Sequence, residues 1–133
     1  MTRNRQTEGR ALGFLKKTAE HVAKRYQKDF SSENNNWSDS KVAEAAKYAL
    51  DAGGKRLRPA LVIAAALAVG PGDQDEEQIF SSDVISVATA FEYIHTYSLI
   101  HDDLPVMDND AMRRGQPSCH MAFGVETDVK AGV

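Results

Sequence analysis

Cysteine is almost absent from this chain. Cys119 stands alone, so no internal disulfide forms and no CxxC or Cys/His grouping offers a zinc site or a redox pair. A reducing compartment is the expectation. Basic excess is missing too: 16 Lys and Arg against 19 Asp and Glu leave a net charge of −3, without the electrostatic footprint of a nucleic-acid binder. The longest apolar run, Ala60 to Val69, is too short to span a bilayer. Arg3, Arg5, Glu8 and Arg10 have no apolar run behind them, which speaks against a secretory leader. Strand-like alternation, internal repeats and low-complexity tracts are lacking as well. What remains is a cytoplasmic, soluble chain of 133 residues, 42% of them hydrophobic, enough for the core of one domain.

The pattern is helical throughout, and the expected fold class is all-α. In 11–30, Leu12, Leu15, Ala19, Val22, Ala23 and Tyr26 recur at the spacing of one helix face. Residues 31–40 read as a polar loop that ends in Ser38, Asp39 and Ser40, candidate N-caps for a second helix that Gly53 stops. Pro59 suits the first turn of a third helix, apolar nearly all round and expected to be buried. Residues 70–78 read as a loop. Ser82 or Asp83 then caps a helix from Val84 to about Asp102, with Val84, Val87, Ala88, Phe91 and Ile94 toward the core and Pro105 ending it. The last fifteen residues, from Cys119, read as weakly helical.

Two short segments concentrate charge. In 99–115, "LIHDDLPVMDNDAMRRG", four carboxylates (Asp102, Asp103, Asp108, Asp110) are followed at once by Arg113 and Arg114. Helical geometry puts His95 and Asp102 on one face, about 10 Å apart along the axis, and turns Asp103 roughly a quarter turn away. Asp102 is therefore the better metal candidate. Its partner would be Asp108, if the segment containing Pro105 bulges and swings it back. Two protein carboxylates, completed by water and a phosphate, are how proteins usually hold Mg²⁺. A calcium loop does not fit, because Met112 falls at loop position five and Cys119 at twelve. The Arg pair could grip the same phosphate, although ordinary salt bridging with the neighbouring acids is the plainer alternative.

The second segment is "GGKRLRP", 53–59. Its glycines allow close backbone approach, and its bases sit where a helix begins and free N–H groups favour an anion. Lys55 and Arg58, three apart, can face the same way, whereas Arg56 points elsewhere. A Walker A loop is absent. His95, on the face of Asp102, is a further phosphate or substrate contact.

From about Ala46 to Gly124 these residues resemble the first half of a trans-prenyl diphosphate synthase, most closely the bacterial farnesyl diphosphate type. The acids match that family's first aspartate-rich motif. The resemblance implies an all-α bundle around a deep cavity, with Mg²⁺ as cofactor on Asp102 and Asp108 and Asp103 supporting. It further implies that Arg113 contacts the allylic diphosphate and that Lys55, Arg58, His95 and Arg114 bind isopentenyl diphosphate. The reaction would join isopentenyl diphosphate to dimethylallyl or geranyl diphosphate by ionisation of the allylic C–O bond, giving farnesyl diphosphate. It needs no protein nucleophile. Tyr97 and Ser98 resemble the family's chain-length pocket, Tyr97 lying about 7 Å below Asp102 by helix rise. A homodimer is implied for full-length members.

Ala111 replaces a customary Asp, "FGVETDVKAGV" replaces the usual apolar helix, and no second aspartate-rich motif occurs in these residues. The chain is accordingly expected to be a single, incomplete polyprenyl synthase domain. A non-catalytic relative that only binds a ligand or a partner subunit is the alternative, and a general phosphate-binding helical module is a third.

Overall fold

The computed structural model of the chain describes residues 2–31, 40–70, 72, 75–81 and 83–132. Among them are seven helices and one two-stranded hairpin, so the fold is all-α: α1 Thr2–Asp29, α2 Lys41–Asp51, α3 Leu57–Val69, α4 Glu76–Ser81, α5 Asp83–Asp102, β1 Met112–Arg113, β2 Gln116–Pro117, α6 Cys119–Phe123 and α7 Val125–Ala131. They divide into two compact units, Met1–Tyr26 with Lys55–Glu92 and Gln27–Gly54 with Tyr93–Val133.

In the first unit, Val22, Ile63, Ile79 and Ala88 are buried. Phe80 of α4 meets α1: its ring stacks on His21 at 4.4 Å, tilts against Phe14 at 6.2 Å and lies under the Lys17 ammonium at 4.9 Å. Helix α4 occupies part of the expected 70–78 loop. Its start was readable in Asp75-x-x-Gln78, for the Asp75 carboxylate accepts the Gln78 amide at 2.8 Å, as an N-capping acid does.

Three faces differ from expectation. Helix α3 buries Pro59, Ala60 and Ile63, while Leu57, Leu61 (61% exposed) and Val69 face outward, because a single contact stripe covers a helix that is apolar all round. Helix α5 turns Ile85, Ala88, Thr89, Glu92, Thr96 and Ile100 inward and leaves Val87, Phe91 and Ile94 exposed. The reason is that its buried face is polar yet bonded, for Thr89 Oγ1 donates to the Ile85 carbonyl at 2.7 Å and Glu92 meets Arg56. Leu12 of α1 is likewise exposed.

In the second unit, Ala45, Ile100 and Cys119 form a small core against which Ala49, Phe123 and Ala131 pack. Tyr48 fastens α2 there, its ring edge-on to Phe123 at 5.3 Å and its hydroxyl donating to the Pro117 carbonyl at 2.8 Å. Ser40 is the cap of α2, its Oγ accepting the Ala43 amide at 3.1 Å, whereas Ser38, Asp39, Ser82 and nearly all of the 31–40 segment lie outside the described residues. The weakly helical tail resolves into α6 and α7, separated by Gly124 at φ 84°.

Candidate functional site

Helix α5 stops at Asp102, two residues ahead of the first position that Pro105 disturbs. The chain then folds back on the helix end. The Asp108 amide donates to the Asp102 carbonyl at 2.9 Å, and the Met107 and Asn109 amides both reach the Leu104 carbonyl, at 2.9 and 3.0 Å. Asn109 takes the left-handed conformation such a turn needs, at φ 54°. The bulge thus brings Asp102 and Asp108 side by side through the backbone, with Asp102 half-buried and Asp108 and Asp110 exposed.

Asp103 is different. It is 2% exposed, and both of its oxygens are taken by Arg113, from Nε at 2.6 Å and Nη2 at 2.5 Å. This fork against a carboxylate holds the Arg113 guanidinium above its ordinary pKa range, the Asp103 hydrogen bond being the main cause. Asp110 lies 3.9 Å from the same group. Asp103 and Arg113 thus engage each other, because the hairpin of β1 and β2 delivers Arg113 to the buried side of the α5 terminus. Arg114 and Gly115 make the hairpin turn at φ 52° and 82°, the paired positive angles of a type I′ geometry, and two-residue strands carry too little alternation to read in advance.

Arg114 is exposed, and its guanidinium lies against Gly54. A Cβ built on Gly54 would stand 2.9 Å from both Nη atoms, so only glycine leaves this space open. Arg114 of the acidic segment thus meets Gly54, and Lys55 follows Gly54 directly in the chain. Lys55 and Arg58 are exposed, while Arg56 is buried at φ 49° with Nη1 2.5 Å from Glu92 Oε1, consistent with its divergence from its neighbours.

His95 is half-buried, and its carbonyl accepts the Ser98 hydroxyl at 2.8 Å. Tyr97 packs edge-on against His101 at 4.6 Å. Tyr97 also lines an apolar cavity of about 580 Å³ with Ile94, Ile100, Val42 and Leu50, a volume in the range of small-ligand pockets. Ser98 does not line it; its hydroxyl turns back onto its own helix.

Sequence reasoning passed over Glu92 and Asp128. An acid inside an otherwise apolar helical stretch was the available signal for Glu92. Asp128, on α7, is completely buried, and its oxygens make no hydrogen bond of ordinary geometry, the weakly donating Cys119 thiol being their side-chain partner. Burial raises its pKa above the ordinary value of 3.8, against the smaller opposing effects of Cys119, His120 and His101. The Cys119 thiol is pushed up as well, mainly by burial and then by Asp128, which makes it a poor nucleophile.

Among the described residues no group of three or more His, Cys, Asp or Glu side chains is close enough to hold a metal by itself. The donor chemistry at Asp102 and Asp108 fits an Mg²⁺ that brings phosphate oxygens and water, not an all-protein cage. No helix among the described residues is long and apolar enough to cross a membrane.

Residues 39–133 match the family model described as polyprenyl synthetase. The chain is 53% identical over 85 residues to a farnesyl diphosphate synthase of Bacillus subtilis, covering 64% of this chain and 26% of that protein. It is 52% identical over 92 residues to the large subunit 1 of a chloroplastic heterodimeric geranylgeranyl pyrophosphate synthase of Arabidopsis thaliana, covering 69% and 23%. An FPP/GFPP synthase structure from Zymomonas mobilis superposes with a TM-score of 0.74 at 35% identity, over 99% of this chain and 42% of that one. The chain therefore spans less than a third of these curated relatives' length.

Proposed function

The chain belongs to the polyprenyl synthetase family, and from that premise we propose that it forms one wall of a prenyl diphosphate synthase site. The reaction is the condensation of isopentenyl diphosphate with an allylic diphosphate, dimethylallyl or geranyl, to farnesyl diphosphate. The observation that best supports this reading is the backbone bond between Asp108 and Asp102, which brings together two carboxylate-bearing residues beside a loop whose Arg114 abuts the glycine turn leading into Lys55.

Asp102 and Asp108 would hold Mg²⁺, which when bound supplies positive charge against the departing allylic diphosphate. The chain's own residues do the rest. Lys55, Arg58, Arg114 and His95 bind the diphosphate of the isopentenyl partner, and fixed cations there add electrostatic stabilisation without reorganising. Arg113 contacts the allylic diphosphate, and Asp103, bonded to it, supports the two metal carboxylates. Apolar walls such as that around Tyr97 keep water from an allylic cation, and the proton lost at the end goes to the diphosphate rather than to a side chain. Tyr97 would limit tail length. Relatives named for both farnesyl and geranylgeranyl products leave that limit to be measured. The surroundings are cytoplasmic, and the complete domain pairs as a homodimer.

Calorimetric titration of isopentenyl diphosphate, with and without Mg²⁺, tests the site. Lys55→Ala should weaken binding in both conditions, and Asp102→Ala should remove only the Mg²⁺-dependent part. Equal losses for every phosphorylated ligand would instead indicate a general phosphate-binding module. Incubation with geranyl and radiolabelled isopentenyl diphosphate addresses catalysis. The 133 residues contain one aspartate-rich segment, so binding with very little turnover is expected.

A further inference from the structure

Glu92 takes no part in the chemistry above, yet it is a deeply placed charge, 3% exposed on α5, with Oε1 2.5 Å from Arg56 Nη1. Arg56 is itself 7% exposed and stands between the exposed Lys55 and Arg58. Its backbone, at φ 49° and ψ 38°, is left-handed, a conformation that a residue with a Cβ keeps only when its surroundings enforce it. Gly53 at φ 84° and Gly54 at φ 142° precede it, so the chain enters α3 through three positive angles within four residues, two of which glycine adopts freely and one of which it does not supply. The Arg56 side chain makes no cap bond of its own, and the 13-residue helix α3 begins beside Lys55 and Arg58.

We infer that Glu92 is a positioning residue for the diphosphate end of the site: by anchoring Arg56 inward it holds the left-handed turn that presents Lys55 and Arg58 to solvent at the start of α3. The ligand class is a diphosphate, and that half of the inference rests on the function proposed above. Glu92 touches no ligand. Its effect passes through the conformation of Arg56.

Two readouts test it on the whole chain: the Arg56 backbone chemical shifts and coupling, which report the left-handed turn without any ligand, and the affinity for inorganic pyrophosphate. Glu92→Gln should move the Arg56 signals out of the left-handed range and weaken pyrophosphate binding by about 10-fold, the loss of roughly one charge-assisted contact. Glu92→Asp should recover part of both. The double variant Arg56→Gly with Glu92→Gln is decisive, because glycine adopts the turn unaided and should restore affinity to within about 3-fold of the parent, a rescue that a purely stabilising ion pair would not produce. Unchanged shifts in Glu92→Gln, or an unrescued double variant that melts as a folded protein, overturns the inference. If the parent itself binds no pyrophosphate, the phosphate reading of the site fails, and the shifts alone decide whether Glu92 sets the turn.

Discussion

Asp128→Ala is expected to stabilise the chain, although it deletes a completely buried side chain. Asp128 lies inside the second unit with no hydrogen bond of ordinary geometry to either oxygen, only the weak Cys119 thiol serving as partner. Burying a polar group without a hydrogen bond costs about 1–3 kcal/mol by mutational measures. Alanine removes that cost and is also the better helix former within α7. The small void it leaves takes back part of the gain. The net expectation is about 1–2 kcal/mol at neutral pH, a rise of roughly 4–8 °C in melting temperature for a chain of this size.

The pH dependence has a definite sign. In the folded chain the acid titrates above its ordinary 3.8, so between that value and the raised one the native state holds a proton that the unfolded chain has released. Parent stability therefore falls as pH rises through that window, and the advantage of Asp128→Ala grows with it, from a smaller value at pH 4, where the buried acid is still protonated, to its full value once the folded carboxyl has ionised. Urea melts followed by circular dichroism at pH 4, 6 and 8 measure both trends. A variant less stable than the parent at pH 8, or a difference that stays constant from pH 4 to 8, would refute the reasoning.

Asp103→Asn should release Arg113 and loosen the hairpin, costing about 2–4 kcal/mol because a largely buried pair loses one member; faster amide exchange across 108–118 is the measurement. Gly54→Ala should cost about 1–3 kcal/mol through its φ of 142° and displace Arg114, whereas Gly53→Ala meets open space and carries the strain of φ 84° alone. Comparing the two in thermal melts and in pyrophosphate titrations separates backbone strain, common to both, from loss of the Arg114 seat, specific to Gly54.

Periodicity and breakers located most of the helices, because caps and stops are local: Ser40 accepts the Ala43 amide three residues on, and the α5 terminus and its fold-back follow from Pro105. Inward faces were less legible. Val87, Phe91 and Ile94 looked like core, yet the face that packs carries Thr89, Glu92 and Thr96, and a buried polar face is intelligible only when its distant partners are known. Arg56 lies 36 residues from Glu92, and no spacing rule links them. The adjacency of Asp102 and Asp108 was readable from helix geometry and one proline. The pairing of Arg113 with Asp103 was not, since four acids competed for two guanidinium groups and the choice depended on a hairpin of two-residue strands.

The fold-back after α5 is tied by main-chain groups, the amides of 107, 108 and 109 reaching the carbonyls of 102 and 104. Val106 and Met107 point outward and lend no side chain to the closure. Such a loop is indifferent to the identity of its middle residues but strict about their number. Drift at 106 and 107 leaves the distance between the two acids unaltered, while one added or deleted residue shifts every amide off its acceptor and separates them.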